Sequence, residues 1–184
     1  MPLSEPAERE PIQTRKVEVS SFRRQDGRWD VEGRLTDVAA LPIKTYTGGL
    51  IEAGTPIHDM RVRLTLNDTR EIVNVDVAMD AHPYPVCPGI LPSYQKLMGE
   101  KIGPGWNRRI RELFGGVGGC VHIVDLLGPV GTIGFKSVIR ESGQDDAAPE
   151  DRVDDKPYQV NTCHALASNG PIVRDRWPDL YTGS

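Results

Sequence analysis

Apolar and polar side chains alternate along two stretches near the start of the chain, and this alternation predicts a β-hairpin. The stretches are 15–24 and 29–35, with the turn dipeptide Asp26-Gly27 between them. A period of two is typical of a strand with one face buried and one face in water. The first stretch alternates imperfectly, so the pattern leaves the register of this hairpin open.

A second hairpin is predicted more sharply, with strands over 60–66 and 73–79 and a polar turn between them. Its apolar side chains all fall on one face if three pairs form: Leu66 with Glu71, Met60 with Val77, and His58 with Met79. We therefore expect His58 at the open end of this hairpin. The proline-rich loop 80–88 follows the second strand, so it should lie next to His58.

The apolar period changes after residue 92. Apolar residues three and four positions apart predict helices over 93–101 and 106–114. A third helix is expected from about 118 to 127, ended by Gly128-Pro129, because proline cannot continue the helical hydrogen bonds. Residues 130–140 suit a helix slightly better than a strand. Strands followed by helices predict an α+β fold, in which an antiparallel sheet of about four strands packs against three or four helices.

The composition is that of an ordinary soluble domain. The chain has 184 residues, of which 38% are apolar and 26% charged, and its net charge of -4 gives no general attraction to nucleic acid or to an anionic membrane. We expect a disordered tail over 1–13 and a single domain over 14–184 that contains a mobile acidic loop over 141–156. Three cysteines form no disulfide framework and the N-terminus lacks a signal-peptide pattern, so a cytoplasmic protein is expected.

Site chemistry is densest in the stretch 115–129, where a glycine run leads into Cys120, His122 and Asp125. On a helix His122 and Asp125 share a face, so the carboxylate can orient the imidazole, whereas Cys120 points to the core. Free N–H groups after the glycines can also hold an anion near Gly119, and a carboxylate or enolate oxygen fits better than a phosphate because the P-loop lysine is lacking. The plain alternative is that the glycines allow close packing and His122 is a satisfied polar residue.

Each of the four histidines lies close in sequence to an aspartate or a cysteine. We predict a pocket at the open end of the second hairpin, walled by the proline-rich loop, the glycine-rich stretch and the segment around Cys163. The predicted catalytic residues are His58, His122, His164, Asp125 and Tyr84. The predicted substrate-binding residues are Asp59, Asp80, Cys163, Tyr94 and Gly119.

A divalent metal, zinc or iron, is one way in which such a pocket could work. His58, His122 and His164 would supply three nitrogen ligands and leave a position open for water or substrate. The compact spacings Cys-x-x-Cys and His-Glu-x-x-His do not occur in the chain. A cysteine nucleophile is the other way, with Cys163 meeting His58 or His122 in space.

Five spaced motifs stand out along the chain. They are Ile57-His-Asp-Met60; Met79-Asp-Ala81 with Pro83-Tyr-Pro85 and Cys87-Pro88; Ile102-Gly-Pro-Gly-Trp106; Gly118-Gly-Cys-Val-His-Ile123; and Asn161-Thr-Cys-His-Ala-Leu166. Together they resemble a family of small bacterial proteins catalogued only as a domain of unknown function, over roughly 14–181. The resemblance implies no established activity and no catalytic residues. Its association with small-molecule catabolism favours an enzyme.

We expect a catabolic enzyme for a small organic substrate, with an aromatic compound as one option. A lyase-type proton abstraction or a retro-aldol C–C cleavage fits a His/Asp/Tyr pocket that needs no nucleotide cofactor, and a metal-dependent hydrolase is the alternative. The competing class is a non-catalytic ligand-binding or assembly protein. The expected partner is a small molecule, with no nucleic acid and no membrane. The sequence leaves open whether the chain forms a homodimer.

Overall fold

The computed structural model describes residues 2–141, 157 and 159–183. Its strands are β1 Gln13–Arg23, β2 Trp29–Ala39, β3 Ile43–Lys44, β4 Leu50–Ile51, β5 Pro56–Leu66 and β6 Ile72–Ala81. Its α-helices are α1 Trp106–Phe114, α2 Val121–Glu141 and α3 Pro171–Arg176. Short 3-10 helices cover Cys87–Leu97, Gly116–Gly118, His164–Leu166 and Pro178–Leu180.

The main sheet is antiparallel with the strand order β1-β2-β5-β6, and one of its faces forms the core. In β2 every second residue from Trp29 to Ala39 is buried, which is the alternation that predicts this strand. Leu35 pairs with Met60 of β5, and both belong to a buried cluster with α1 and α2. The predicted α+β fold, with an antiparallel sheet on helices, is confirmed.

The predicted register of the second hairpin is wrong by two residues. Met60 pairs with Met79 rather than with Val77. Both residues of the shift arise at the turn, because Leu66 pairs with Ile72 rather than with Glu71 and an irregularity between Thr65 and Leu66 adds the second residue. Because side chains alternate with a period of two, a shift of two leaves each of them on the predicted face.

The predicted end of the third helix at Gly128-Pro129 is also wrong, because α2 continues through both residues to Glu141. A proline inside a helix costs about 3 kcal/mol. Burial outweighs that cost, since each fully buried aliphatic side chain contributes about 1.5–3 kcal/mol. The buried side chains of α2 include Ile123, Leu126, Leu127, Val130 and Val138.

Other elements differ in detail from their predictions. The segment between the two predicted hairpins contains the small hairpin β3–β4. The predicted helix over 93–101 is the 3-10 helix Cys87–Leu97, which contains Pro92. The predicted helix over 106–114 is confirmed as α1, with the same limits.

The chain groups into two compact units, Met1–Val138 and Ile139–Ser184. The first contains the sheet and α1. The second contains α3, in which Val173 is buried. The single domain over 14–184 stays a prediction, and all of the predicted acidic loop except Glu141 lies outside the described residues.

By length and composition, α2 is also apolar enough to cross a membrane, with a hydropathy of 1.2 over the best window. Core helices of soluble proteins pass the same test, and 44% of this window is buried inside the structure. The helix is therefore weak evidence for a membrane span, and the cytoplasmic location stays a prediction.

Candidate functional site

A polar row crosses three strands on the buried face of the sheet. The register places Arg15 of β1 opposite Asp37 of β2, and Asp37 opposite His58 of β5. Two residues further along, Leu35 and Met60 occupy the same face and are buried. The polar row therefore continues the core face rather than the solvent face of the sheet.

Asp37 is the buried centre of this row, with only 1% of its surface exposed. Arg15 donates from Nε to Oδ1 at 2.7 Å and from Nη2 to Oδ2 at 2.8 Å. This bidentate geometry is the strong form of an arginine–carboxylate pair. The hydrogen bonds from Arg15 hold the pKa of Asp37 below its usual value, against the opposing effect of burial. Asp37 is therefore a buried anion at neutral pH.

Two imidazoles share this carboxylate. The rings of His58 and His122 stack with centroids 3.6 Å apart and planes 28° from parallel. His58 Nδ1 lies 3.1 Å and His122 Nε2 3.4 Å from the same Asp37 Oδ2. Burial lowers the pKa of both imidazoles below 6.5, and the charge of a protonated His58 would lower that of His122 further. Both rings are therefore neutral at neutral pH.

The contacts assign a role to each ring nitrogen of His58. An ionised carboxylate only accepts hydrogen bonds, so Nδ1–H of His58 donates to Asp37 and Nε2 keeps a lone pair. His122 differs, because Nε2 faces the carboxylate and Nδ1 lies 3.8 Å from Cys120 Sγ. The pair thus offers one basic nitrogen on His58 and a second imidazole next to a thiol.

The start of α2 brings His122 to the row. This helix begins at Val121, not at residue 118, so Cys120 precedes it and contacts His122. Cys120 packs against the core as predicted, but the prediction that it points away from His122 is wrong. Asp125 bonds to Arg15 Nη1 at 2.9 Å, so its carboxylate joins the row through the arginine.

Tyr94 and Gly119, both predicted to bind substrate, are packing residues that hold this helix start in place. The Tyr94 hydroxyl accepts the Cys120 N–H at 2.8 Å, and its side chain is fully buried, which raises its pKa to about 12. A Cβ on Gly119 would meet Phe114. The structure thus gives these two residues a positioning role.

Asp59 and Asp80, two other predicted binding residues, lie in ion pairs away from the row. Asp59 is next to His58 in β5, so its side chain is on the opposite face of the sheet, where Arg34 bonds to both of its oxygens. Asp80 pairs with Arg61. Among the residues that the structure describes, no imidazole lies in contact with either carboxylate.

The remaining predicted site residues fall in two places. Tyr84 is half exposed in the proline-rich loop, and its ring contacts that of Tyr46. Cys163 and His164 are exposed residues of the second unit. Among the described residues, one group could hold a metal ion, namely Asp37, His58 and His122, whose ligand atoms lie within 4.8 Å of one another. The third candidate ligand is thus Asp37, whereas His164 was predicted.

The opposite face of the sheet carries a groove of about 590 Å³ that is lined mainly by charged and polar side chains. Its arginines are already paired, as Arg63 is with Asp76 at 2.7 Å. Neither a histidine nor a cysteine is among the described residues that line it. We therefore place the candidate chemistry at the polar row and not in this groove.

Asp37 and Arg15 were missed in the sequence, although one signal marks Asp37. The alternation of β2, continued from Trp29 in steps of two, puts Asp37 at a buried position. A carboxylate at such a position needs a partner, because an unpaired buried charge is costly. Arg15 has no comparable signal, since the register of the first hairpin was open.

The model of a protein family of unknown function, DUF2889, matches residues 13–136. The chain belongs to this family. The DUF2889 match includes Arg15, Asp37, His58 and His122, and therefore the whole polar row, whereas the motif at 161–166 lies outside it. A search of curated proteins and a search of solved structures each found no match.

Proposed function

We propose that this DUF2889 protein is an enzyme that transfers protons on a small organic substrate, with His58 as its general base. The observation that carries the proposal is the shared carboxylate, since one buried Asp37 contacts both His58 and His122. A buried carboxylate that holds an imidazole fixes its tautomer and stabilises the imidazolium that forms during proton transfer.

Burial prepares His58 for this role. Because desolvation lowers its pKa, the ring is in the neutral, basic form at neutral pH, with the lone pair on Nε2. After Nε2 has taken a proton, the positive ring is held by Asp37 through Nδ1–H. His122 stacks on His58, so a charge on one ring disfavours a charge on the other. The pair therefore suits the movement of one proton at a time.

The reaction class that we propose is a lyase-type step beside a carbonyl group. In a retro-aldol cleavage, His58 Nε2 takes the proton of the substrate hydroxyl, and the oxygen forms the carbonyl of the departing aldehyde. The C–C bond breaks, and its electron pair moves into the remaining carbonyl to give an enolate. The proton on His58 then returns to the enolate carbon. The N-terminus of α2, beside His122, favours the negative charge that develops.

A metal-dependent hydrolase is the second candidate, because Asp37, His58 and His122 have three ligand atoms within 4.8 Å of one another. Two histidines and one carboxylate are a common donor set for iron or zinc. Arg15 favours the acid–base proposal, since its guanidinium already bonds to both oxygens of Asp37. A cation bound there would lie close to this positive charge and would compete with it for the carboxylate.

Proton exchange in D₂O tests the acid–base proposal without knowledge of the natural substrate. The protein would be incubated with a panel of β-hydroxy ketones and aldehydes, and ¹H NMR would follow loss of the α-proton signal and release of aldehyde. We expect turnover of at least one compound, and a loss of about 100-fold or more in His58→Gln. Asp37→Asn should reduce the rate on the same scale.

Asp76→Asn is the matched control for Asp37→Asn. Asp76 is also a strand carboxylate held by two arginine nitrogens, but it is half exposed and lies on the other face of the sheet. It should leave the rate unchanged. Equal rates in wild type, His58→Gln and Asp37→Asn would reject the proposal and favour a non-catalytic binding or assembly protein.

Elemental analysis of the purified protein separates the two enzyme candidates. The acid–base proposal expects far less than one bound zinc or iron per chain, and activity that survives a chelator. Stoichiometric metal that is lost in both His58→Gln and Asp37→Asn would instead support the hydrolase.

A further inference from the structure

We propose that this protein forms a homodimer in which β1 of one copy pairs antiparallel with β1 of the other, so that two sheets of four strands become one sheet of eight. The inference does not depend on the proposed enzymatic function. Strand β1 lies at an edge of the sheet, and β2 is its one neighbour among the strands that the structure describes. It has 11 residues, whereas strands typically have about 5–6. A free edge of this length is a template for pairing with another strand.

Hydrogen bonds at the two ends of the first hairpin show which backbone groups of β1 face outward. Arg24 N–H donates to Arg28 O, and Ala40 N–H donates to Ile12 O, both at 2.9 Å. These pairs continue the register of β1 and β2, in which hydrogen-bonded pairs alternate with non-bonded ones. The even-numbered residues of β1 therefore bond to β2. The N–H and C=O groups of its odd-numbered residues point away from the sheet.

The other edge strand, β6, is protected by residues that follow it in the chain. Ile72 N–H donates to Glu100 O, and Gly99 N–H donates to Ile72 O, both at 2.9 Å. The side-chain amide of Gln95 donates to Val75 O at 3.0 Å. Within the described part of the chain, no such hydrogen bond reaches the outer edge of β1. The free edge of the sheet is therefore β1.

Charge complementarity selects one register for the pairing of two β1 strands. Outward groups of odd-numbered residues must meet each other, so a two-fold axis passes through one residue of each copy. An axis through Lys16 or through Glu18 would set like charges opposite each other, which is destabilising. An axis through Val17 sets Lys16 of each copy opposite Glu18 of the partner subunit. The pairing that we propose is therefore centred on Val17.

The same register pairs exposed apolar side chains. It places Ile12 opposite Phe22 of the partner subunit and brings the two copies of Val17 together at the axis. These three side chains are 69%, 50% and 43% exposed in the single chain. An axis through Val19 would instead set Lys16 opposite Phe22. Apolar pairs and opposite charges across strands both stabilise a sheet, so the register centred on Val17 satisfies both.

The sequence also limits the length of the shared ladder. Residues 13–21 of each copy would exchange about ten backbone hydrogen bonds, two for each hydrogen-bonded pair. Pro11 is the next outward-facing position, and proline has no N–H to donate. The ladder therefore ends at Gln13.

The dimer would place a second chain beside the polar row. Arg15 is an outward-facing residue of β1, and in this register it lies opposite Val19 of the partner subunit. Its side chain is 40% exposed in the single chain and donates two hydrogen bonds to Asp37. Pairing of the strands should therefore cover part of the residue that holds Asp37.

Reversal of single charges tests the interface. Sedimentation velocity of the full chain, over a series of concentrations, gives the dissociation constant of the dimer. Lys16→Glu and Glu18→Lys each create two pairs of like charges, one on each side of the axis, and should raise this constant about 10-fold or more. The double variant Lys16→Glu, Glu18→Lys restores opposite charges and should return the constant towards the wild-type value.

Glu32→Lys is the matched control for Glu18→Lys. Both glutamates are exposed, line the same groove and lie opposite an arginine, which is Arg34 for Glu18 and Arg63 for Glu32. Glu32 is in the inner strand β2, so its reversal should leave the dissociation constant unchanged. Circular dichroism of every variant checks that the fold is retained.

A cysteine at the axis tests the register itself. Hydrogen-bonded partners in an antiparallel pair have Cα atoms about 5.5 Å apart, which is within the range of a disulfide. Val17→Cys should therefore give a covalent dimer on mild oxidation. In Val19→Cys the two introduced thiols would be four residues apart along the strand, about 14 Å, and should not join. Wild-type protein shows the background from the exposed Cys163.

Several outcomes would overturn the proposal. These are a wild-type chain that stays monomeric at every concentration, a dimer that the single charge reversals leave unchanged, or a double variant that is no tighter than the single ones. Covalent dimer formation in Val19→Cys that equals or exceeds that in Val17→Cys would reject the pairing centred on Val17.

Discussion

Asp37 determines the chemistry of the candidate site at the scale of single residues. It is buried at the end of a hydrophobic strand face, and it stays ionised because Arg15 donates two hydrogen bonds to it. The same carboxylate orients His58 and contacts His122. One side chain thus orients the imidazole of His58, contacts that of His122 and places a negative charge between them.

Asp37→Asn should destabilise the fold by roughly 1–3 kcal/mol, because it removes the charge that Arg15 and His58 face in a buried place. The value is at the low end for a buried pair, since Arg15 is 40% exposed and can be rehydrated. Urea unfolding monitored by circular dichroism measures the difference. Asp125→Asn removes the other partner of the same arginine, but it is half exposed and should cost less than about 1 kcal/mol. Equal losses in the two variants would contradict the buried role of Asp37.

His58 and His122 could be singled out from the sequence because histidines near aspartates are conspicuous in it. The sequence also placed both in one predicted pocket, and their rings stack in the structure. The residue spacing did not fix this contact, since His122 lies on a helix whose start depends on Tyr94, Gly119 and the 3-10 turn before it. The expected helix start at residue 118 would have turned Cys120 away from His122. A difference of three residues at one helix end therefore changed which side chains meet.

At the scale of elements, α2 joins the core to the site. Its buried face packs on the sheet, and its first turn presents His122 to the polar row. Close approach depends on glycines in the helix, because a Cβ on Gly131 would meet the indole of Trp106. That indole N–H donates to the Leu127 carbonyl at 2.9 Å. This packing stabilises α2 enough to accommodate Pro129. The rule that a proline ends a helix considers the helix alone and does not include such packing.

Gly131→Ala should destabilise the fold by about 1–3 kcal/mol through overpacking, although alanine is the better helix former by about 1 kcal/mol. Thermal or urea unfolding gives the measurement. Gly128→Ala is the matched change in the same helix, and its nearest neighbour is the terminal oxygen of the Asn107 side chain at 3.2 Å, which can move. It should be neutral or stabilising. A stabilised Gly131→Ala protein would show that α2 does not pack against Trp106 as described.

Across the whole molecule, the fold class followed from the order of strands and helices, and the site followed only in part. The alternation in β2 and β5 was enough to predict which side chains are buried. Pairing across strands was not, because a two-residue change of register keeps the same faces. The row of Arg15, Asp37 and His58 depends on that pairing. Asp59 and Asp80 were predicted to bind substrate, but in the structure they form ion pairs with Arg34 and Arg61 instead.

Stability should fall as the pH is lowered from neutral through the lowered pKa values of His58 and His122. Burial places both folded-state values below 6.5, so between these values and 6.5 the unfolded chain binds more protons than the folded one. Their contribution is complete above 6.5 and is lost below it. Asp37 contributes in the same direction, but only near and below about 3.9, the carboxylate range. Urea unfolding at a series of pH values gives the free energy of unfolding as a function of pH. Its slope below 6.5 should be smaller in the double variant His58→Gln, His122→Gln than in the wild type. An unchanged slope would contradict the buried neutral state of the two rings.

NMR of ¹⁵N-labelled histidines, recorded as a function of pH, tests whether His58 is a neutral base held by Asp37. We expect His58 to carry its proton on Nδ1 and to keep Nε2 unprotonated at neutral pH, with both stacked rings gaining charge only below 6.5. Asp37→Asn should abolish the preference for Nδ1–H. A His58 ring that carries its proton on Nε2, or that is already charged at neutral pH, would contradict the proposed acid–base centre.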